Sequence, residues 1–172
     1  LKPSTKLAAE LAIAALLVFF GYRLEWVESL TGDTLLTLIW IVGITNAFNL
    51  LDNMDGLCAG IALIAGVSLF LAHGGSFVQQ PEAVYLALVL GAAAGFLVYN
   101  IHPASVFLGD SGSLFLGASL AILSLGLDAS NGSQANVLGV VAVPAFVLLI
   151  PIFDTTLVTF SRLLSGRDPA VG

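Results

Sequence analysis

Asn46, Asn49, Asp52 and Asp55 recur every third residue through Thr45–Leu57, TNAFNLLDNMDGL. On an α-helix such residues drift slowly around one side, and in a 3₁₀ turn they line up. Either way, carboxamides and carboxylates gather at one end of an apolar run. Ionisable groups at membrane depth are expensive and usually face a polar cavity. One aspartate is explained as a helix cap, where its charge suits the helix dipole. Two aspartates beside two asparagines point instead to a site. A second stretch, Asn100–Gly117, reads NIHPASVFLGDSGSLFLG and holds His102, Asp110, Ser111, Ser113 and three glycines. Gly109–Ser113 is tight-turn chemistry, with a helix expected from Leu114 onward and Ser111 or Ser113 as its cap. The free N–H groups of that helix suit a phosphate, and Asp110 suits a divalent cation bridging to it. The alternative is that Asp110 only caps a helix beside water. Phe107 can stack on a flat ring such as a nucleobase, or face core or lipid. His102 can carry a proton or hydrogen-bond within its loop, and the loop bond is the simpler reading. A third cluster, Pro151–Thr156, sets Asp154 roughly 9 Å inside the end of an apolar run, as a site residue or an ion-pair partner of Arg162.

The elements that must position these groups are apolar. The chain of 172 residues is 58% hydrophobic and 9% charged, with a mean hydropathy of +1.03. A soluble domain carries about 25% charged residues, so an integral membrane protein is expected. The net charge of −6 is scattered and there is no basic patch, so nucleic acid is excluded as a partner. The single cysteine, Cys58, allows no intrachain disulfide and no cysteine-built zinc site.

Six candidate spans follow: 7–22, 35–51, 57–72, 84–101, 114–127 and 137–160. The fold class expected is all-α, a polytopic transmembrane helix bundle, in one domain covering residues 1–172. Gly and Ala within the runs, most densely Gly91–Gly95, suit close helix packing in lipid. Trp26, and less clearly Trp40, suit interface anchors. Lys2 and Lys6 before the first span and Arg162 and Arg167 after the sixth place both ends in the cytoplasm. Threading the spans then brings Asn46–Leu57, Asn100–Ser113 and Asp154 to that same face. A cytoplasmic pocket holding Asp52, Asp55 and Asp110 beside lipid suits chemistry between a phosphate compound and a lipid. Magnesium, or manganese in its place, would offset the charge of carboxylates and phosphates together.

The segments NAFNLLDNMDGL (46–57), NIHPASVFLGDSGSLFLG (100–117) and PIFDT (151–155) resemble the polyprenyl-phosphate N-acetylhexosamine-1-phosphate transferase family. Their order and spacing extend the resemblance over essentially the whole chain. It implies transfer of a sugar-1-phosphate from a UDP-sugar to polyprenyl (undecaprenyl) phosphate with release of UMP, an early membrane step of cell-envelope polysaccharide synthesis. It implies a multi-pass protein of the inner (plasma) membrane, with a homodimer as the plausible assembly. Asp110 matches the family's magnesium-binding aspartate. Asn49, Asp52 and Asp55 match its nucleotide and catalytic cleft, and Asn100 and Phe107 match further nucleotide-pocket positions. Asp52 and Asp55 are thus the catalytic candidates. Ser113 joins Asn49, Asn100 and Phe107 as a candidate for nucleotide or substrate binding. Two family features find no match here, an Asp-Asp pair on an earlier span and a His-rich segment after the last motif. Lys2–Lys6 looks like the stretch following that pair, so truncation at both ends is expected. The residues around Asp52 and Asp55 look more like the GlcNAc-1-phosphate enzymes than the phospho-MurNAc-pentapeptide transferases, the alternative within the family. A transporter would place its ionisable groups near mid-membrane in two repeats, and a non-catalytic subunit would make the turn residues dispensable.

Overall fold

The structure, a computed structural model, describes residues 3–24, 29–73, 78–125 and 164–165. Among them the chain is all-helical, with α1 Pro3–Phe19, α2 Leu30–Leu51, α3 Leu57–His73, α4 Pro81–Asn100 and α5 Gly109–Leu125. Five of the six expected spans therefore fall on helices. The sixth, residues 137–160, lies outside the described residues, as do Trp26, Asp154 and Arg162.

Local sequence sets the ends of these helices. α1 stops at a Schellman arrangement, in which Gly21 takes φ +96. Its N–H donates to Val18 O and the Tyr22 N–H to Leu17 O, the left-handed ending for which glycine is suited. Ser29 caps α2 by accepting the Gly32 N–H on its hydroxyl, and Asp33 lies in the first turn. α4 opens on Pro81, whose missing N–H costs nothing at a helix start.

α5 lies mainly against α2, α3 against α4, and α1 against α2. The core between them is built from Ile41, Ile44 and Phe48 of α2, Leu116 and Leu120 of α5, Ala62 and Leu69 of α3, and Leu86 of α4. α2 and α5 approach closely at Gly117. A Cβ there would stand 2.8 Å from Thr45 Cα and 2.9 Å from Phe48 Cβ, so α2 and α5 meet backbone to backbone. The Gly91–Gly95 run does not serve this purpose within the described residues. Nothing described lies within 4 Å of a Cβ built at Gly91 or Gly95, and Ala93 is the run's buried member. Trp40 is also placed differently from an interface anchor. Its indole N–H donates to Ser124 Oγ at 2.8 Å, tying α2 to α5.

Large apolar side chains cover the outer surfaces of the bundle, among them Ile39, Ile64, Leu88 and Val98. In water such a surface would be a liability, whereas in a bilayer it is the lipid-facing wall. α2 and α4 are each long and apolar enough to cross a membrane, with α3 and α5 shorter at 17 residues.

Candidate active site

One end of the bundle collects the polar residues that the apolar segments carry. α2 and α4 run toward this end while α3 and α5 run away from it. The loops 52–56 and 101–108 therefore lie side by side, with the start of α1 next to them. The helix at this end begins earlier than its composition predicts. Gly109–Ser113 is not a turn preceding a helix but the first turn of α5, entered through Gly109 at φ +66. Ser113 accordingly caps nothing. It is fully buried, and its hydroxyl bonds back to Gly109 O at 3.1 Å and Asp110 O at 3.3 Å.

Asn49 is the hub. Its Nδ2 donates to Asp110 Oδ1 at 3.2 Å and to Ser113 Oγ at 3.0 Å, and its Oδ1 accepts from Lys6 Nζ. The amide thus has its donor side turned to the carboxylate and its acceptor side to the ammonium. One turn deeper, Asn46 Nδ2 donates to Glu10 Oε2 and to Val42 O. Lys6 and Glu10, four residues apart on one face of α1, read Asn49 and Asn46, three apart on α2.

Asp52 ends α2 as its C-cap. Its carboxyl is held above the usual range, chiefly by burial and further by the Asp110 carboxylate, while the Gly109 N–H works the other way. Asp52, at the end of α2, and Asp110, in the first turn of α5, thus lie near enough to influence one another. Asp55 sits in the opposite electrostatic setting. Its Oδ2 accepts the Ala104 N–H at 3.1 Å and lies 2.9 Å from His102 Nδ1. The Ala104 bond first, and then His102, hold the Asp55 carboxyl below its ordinary value. His102 thus reaches across to the 52–56 loop rather than bonding within its own. Asn100 is buried, with Oδ1 accepting the Gly56 N–H and Nδ2 donating to Val106 O, both at 2.9 Å. Phe107 is 73% exposed, three residues before Asp110.

Asn49, Asp52, Asp55, Asn100, His102, Phe107, Asp110 and Ser113 therefore share one end of the fold, and Asp154 lies outside the described residues. Lys6 and Glu10 were not assigned to a site by sequence reasoning. Their signal was available: a cation at the start of the apolar run and a single carboxylate within it, on one helical face. Charges so placed turn inward to partners.

The arrangement suits a phosphate compound bound with a divalent cation. Among the described residues no three acidic, histidine or cysteine side chains form a closed metal cage. Magnesium needs no such cage, since it is usually held by one or two carboxylates plus phosphates and water. Asp110 and Asp52 supply that donor set beside the first turn of α5, so these residues fit the ion.

A helical bundle with an apolar outer surface and with carboxylates and amides gathered at one end has the build of an integral membrane protein. Comparison with known proteins places it more closely: residues 1–128 match the model of glycosyl transferase family 4, and the chain belongs to that family. Over 97% of its length it is 39% identical to a probable undecaprenyl-phosphate N-acetylglucosaminyl 1-phosphate transferase of Bacillus subtilis, covering 48% of that protein. Over 96% of its length it is 34% identical to the decaprenyl-phosphate N-acetylglucosaminephosphotransferase of Mycolicibacterium smegmatis, covering 47% of it. It is also 41% identical, over 70% of its length, to the phospho-N-acetylmuramoyl-pentapeptide-transferase of Anoxybacillus flavithermus, covering 40% of that enzyme. The chain spans about half the length, or less, of these curated relatives.

Proposed function

We propose that the protein to which this chain belongs transfers a sugar-1-phosphate, GlcNAc-1-phosphate by preference, from a UDP-sugar to polyprenyl phosphate on the cytoplasmic face of the plasma membrane. The observation that carries this reading is the bond from Asn49 to Asp110 in the first turn of α5, with Asp52 at the C-cap of the helix that carries Asn49. The printed activities of the Bacillus and Mycolicibacterium relatives support it.

In this reaction an oxygen of the lipid phosphate attacks the sugar-bearing phosphorus of the diphosphate. The bond from that phosphorus to the bridging oxygen breaks, and UMP leaves with the bridging oxygen. The products are polyprenyl diphosphate sugar and UMP. Asp110 and Asp52 would hold a magnesium ion, which would supply charge neutralisation on the diphosphate. Asn49 fixes the direction of the Asp110 carboxylate, and Lys6 fixes Asn49 in turn. Phe107 offers a face on which the uracil ring can stack. Asp55 and His102 hold the two loops together across the pocket.

The test uses full-length protein in detergent with undecaprenyl phosphate and labelled UDP-GlcNAc, with and without magnesium. Magnesium-dependent label in the lipid fraction and release of UMP are expected. The identity with the pentapeptide-transferase of Anoxybacillus flavithermus favours a second reading. Transfer from UDP-MurNAc-pentapeptide alone would establish that reading and overturn the choice of donor. Transfer from neither would refute both.

A further inference from the structure

Asn100 is the last residue of α4 and is 4% exposed. Its amide is engaged at both ends by backbone: Oδ1 takes the Gly56 N–H and Nδ2 gives to Val106 O. Asp55 immediately precedes Gly56, and Phe107 immediately follows Val106. From these observations we infer that Asn100 is a positioning residue, whose buried amide sets the backbones carrying Asp55 and Phe107 relative to one another. The inference rests on the proposed reading only where it concerns nucleotide binding.

Several features of the site converge on this role. A carboxamide is a compact group that offers a donor and an acceptor in one plane, and each here meets a backbone partner. With 4% exposure, a nucleotide could reach the amide only if the loops opened. Gly56 takes φ +75, and a Cβ built on it would stand 3.8 Å from Asn100 O. The 52–56 loop therefore passes directly over the end of α4. Asp55 makes a second tie between the same loops through Ala104 and His102, but at the exposed rim, where water weakens it. The Asn100 bonds are the better shielded, since Asn100 itself is buried, and are the stronger constraint.

The experiment uses full-length protein and the KM for UDP-GlcNAc in wild type, Asn100→Ala, Phe107→Ala and the double variant. Losing the buried tie raises KM by about tenfold, a cost typical of a disrupted buried hydrogen bond. Phe107→Ala raises it by a similar factor, and the double variant stays within about threefold of Phe107→Ala. A double variant about a hundredfold worse than wild type, the additive result, would mean that Asn100 contacts the nucleotide itself, and the inference would fall. A wild type inactive with either UDP-sugar would refute the proposed function instead. Hydrogen exchange then still decides on Asn100. In Asn100→Ala, peptides 52–57 and 104–109 exchange faster while the interior of α4 is unchanged. If Asn100→Ala loses protection throughout, Asn100→Asp replaces it. That variant keeps the acceptor for Gly56 and loses the donor to Val106, so only 104–109 exchanges faster. Unchanged exchange in both loops overturns the inference.

Discussion

Replacing Asn49 with Leu removes the amide that joins Lys6 to Asp110 while nearly preserving side-chain volume. Three contacts disappear: Nδ2 to Asp110 Oδ1, Nδ2 to Ser113 Oγ, and Lys6 Nζ to Oδ1. A hydrogen bond to a charged group contributes about 1.5–3 kcal/mol, and the exposed rim puts the Asp110 bond near the lower end. Ser113 keeps its bond to Gly109 O, so its hydroxyl is not orphaned. With the loss at Lys6 included, the total comes to about 2–3 kcal/mol, or roughly 30- to 140-fold in kcat/KM for sugar-phosphate transfer. Asn49→Asp should be more harmful than its similarity to asparagine suggests. It keeps an acceptor for Lys6 but turns a second carboxylate oxygen toward Asp110. The assay is the detergent transfer reaction with saturating undecaprenyl phosphate, accompanied by thermal unfolding. Asn49→Leu with more than half of wild-type kcat/KM, in protein of unchanged melting temperature, would show that the relay from Lys6 to Asp110 does not serve the reaction.

Asp52→Asn separates stability from activity. Ionising a carboxyl that the fold holds above its ordinary range costs stability at neutral pH, and asparagine keeps an acceptor for the Gly109 N–H. Its melting temperature should equal or exceed that of wild type while transfer falls by about a hundredfold or more, and a lowered melting temperature would contradict this. Asp55 behaves oppositely. A lowered carboxyl adds stability above its unfolded value and loses it as pH falls through the folded one. The contact of loop 101–108 with Asp55 should therefore persist from neutral pH down to about the ordinary value of 3.8 and give way below it. Hydrogen exchange of peptide 104–109 should show that acid step in wild type and not in Asp55→Asn. Gly117→Ala drives a methyl group into the Thr45 and Phe48 backbone region and should destabilise the bundle by about 1–3 kcal/mol, read by unfolding in detergent. An unaltered unfolding curve would mean that α2 and α5 part more easily than their contact implies.

Much of this site is legible in the chain. The three-residue spacing of Asn46, Asn49, Asp52 and Asp55 marks a polar end to α2, and alternating the spans brings Asp110 to the same end. What stays hidden is pairing. Nothing in the order of residues says that Lys6 faces Asn49 or that Glu10 faces Asn46, because helix rotation is decided by packing. Gly109–Ser113 reads as a turn because glycine and serine are weak helix formers. The contacts of α5 with α2 outweigh that preference and carry the helix back to Gly109. Asn100 matches a family nucleotide-pocket position by its motif, while its depth and two backbone partners emerge only in three dimensions. Trp40 teaches the same lesson. Composition suggests an interface anchor, but its indole turns to Ser124 on α5.

α1 packs chiefly on α2, and among the described residues the seam carries the polar contacts of Lys6 and Glu10 with Asn49 and Asn46. In lipid, apolar surface gives two helices little reason to associate, so packing detail and hydrogen bonds must choose the partner and the register. The side chains that complete the polar end of α2 thus also act as the address by which α1 finds its place. Assembly and the polar network then form together: a protein whose α1 has docked one turn out of register would leave Lys6 and Glu10 without Asn49 and Asn46. Substitutions at Lys6 or Glu10 should therefore appear first in yield and detergent tolerance, with lost turnover following from the same cause.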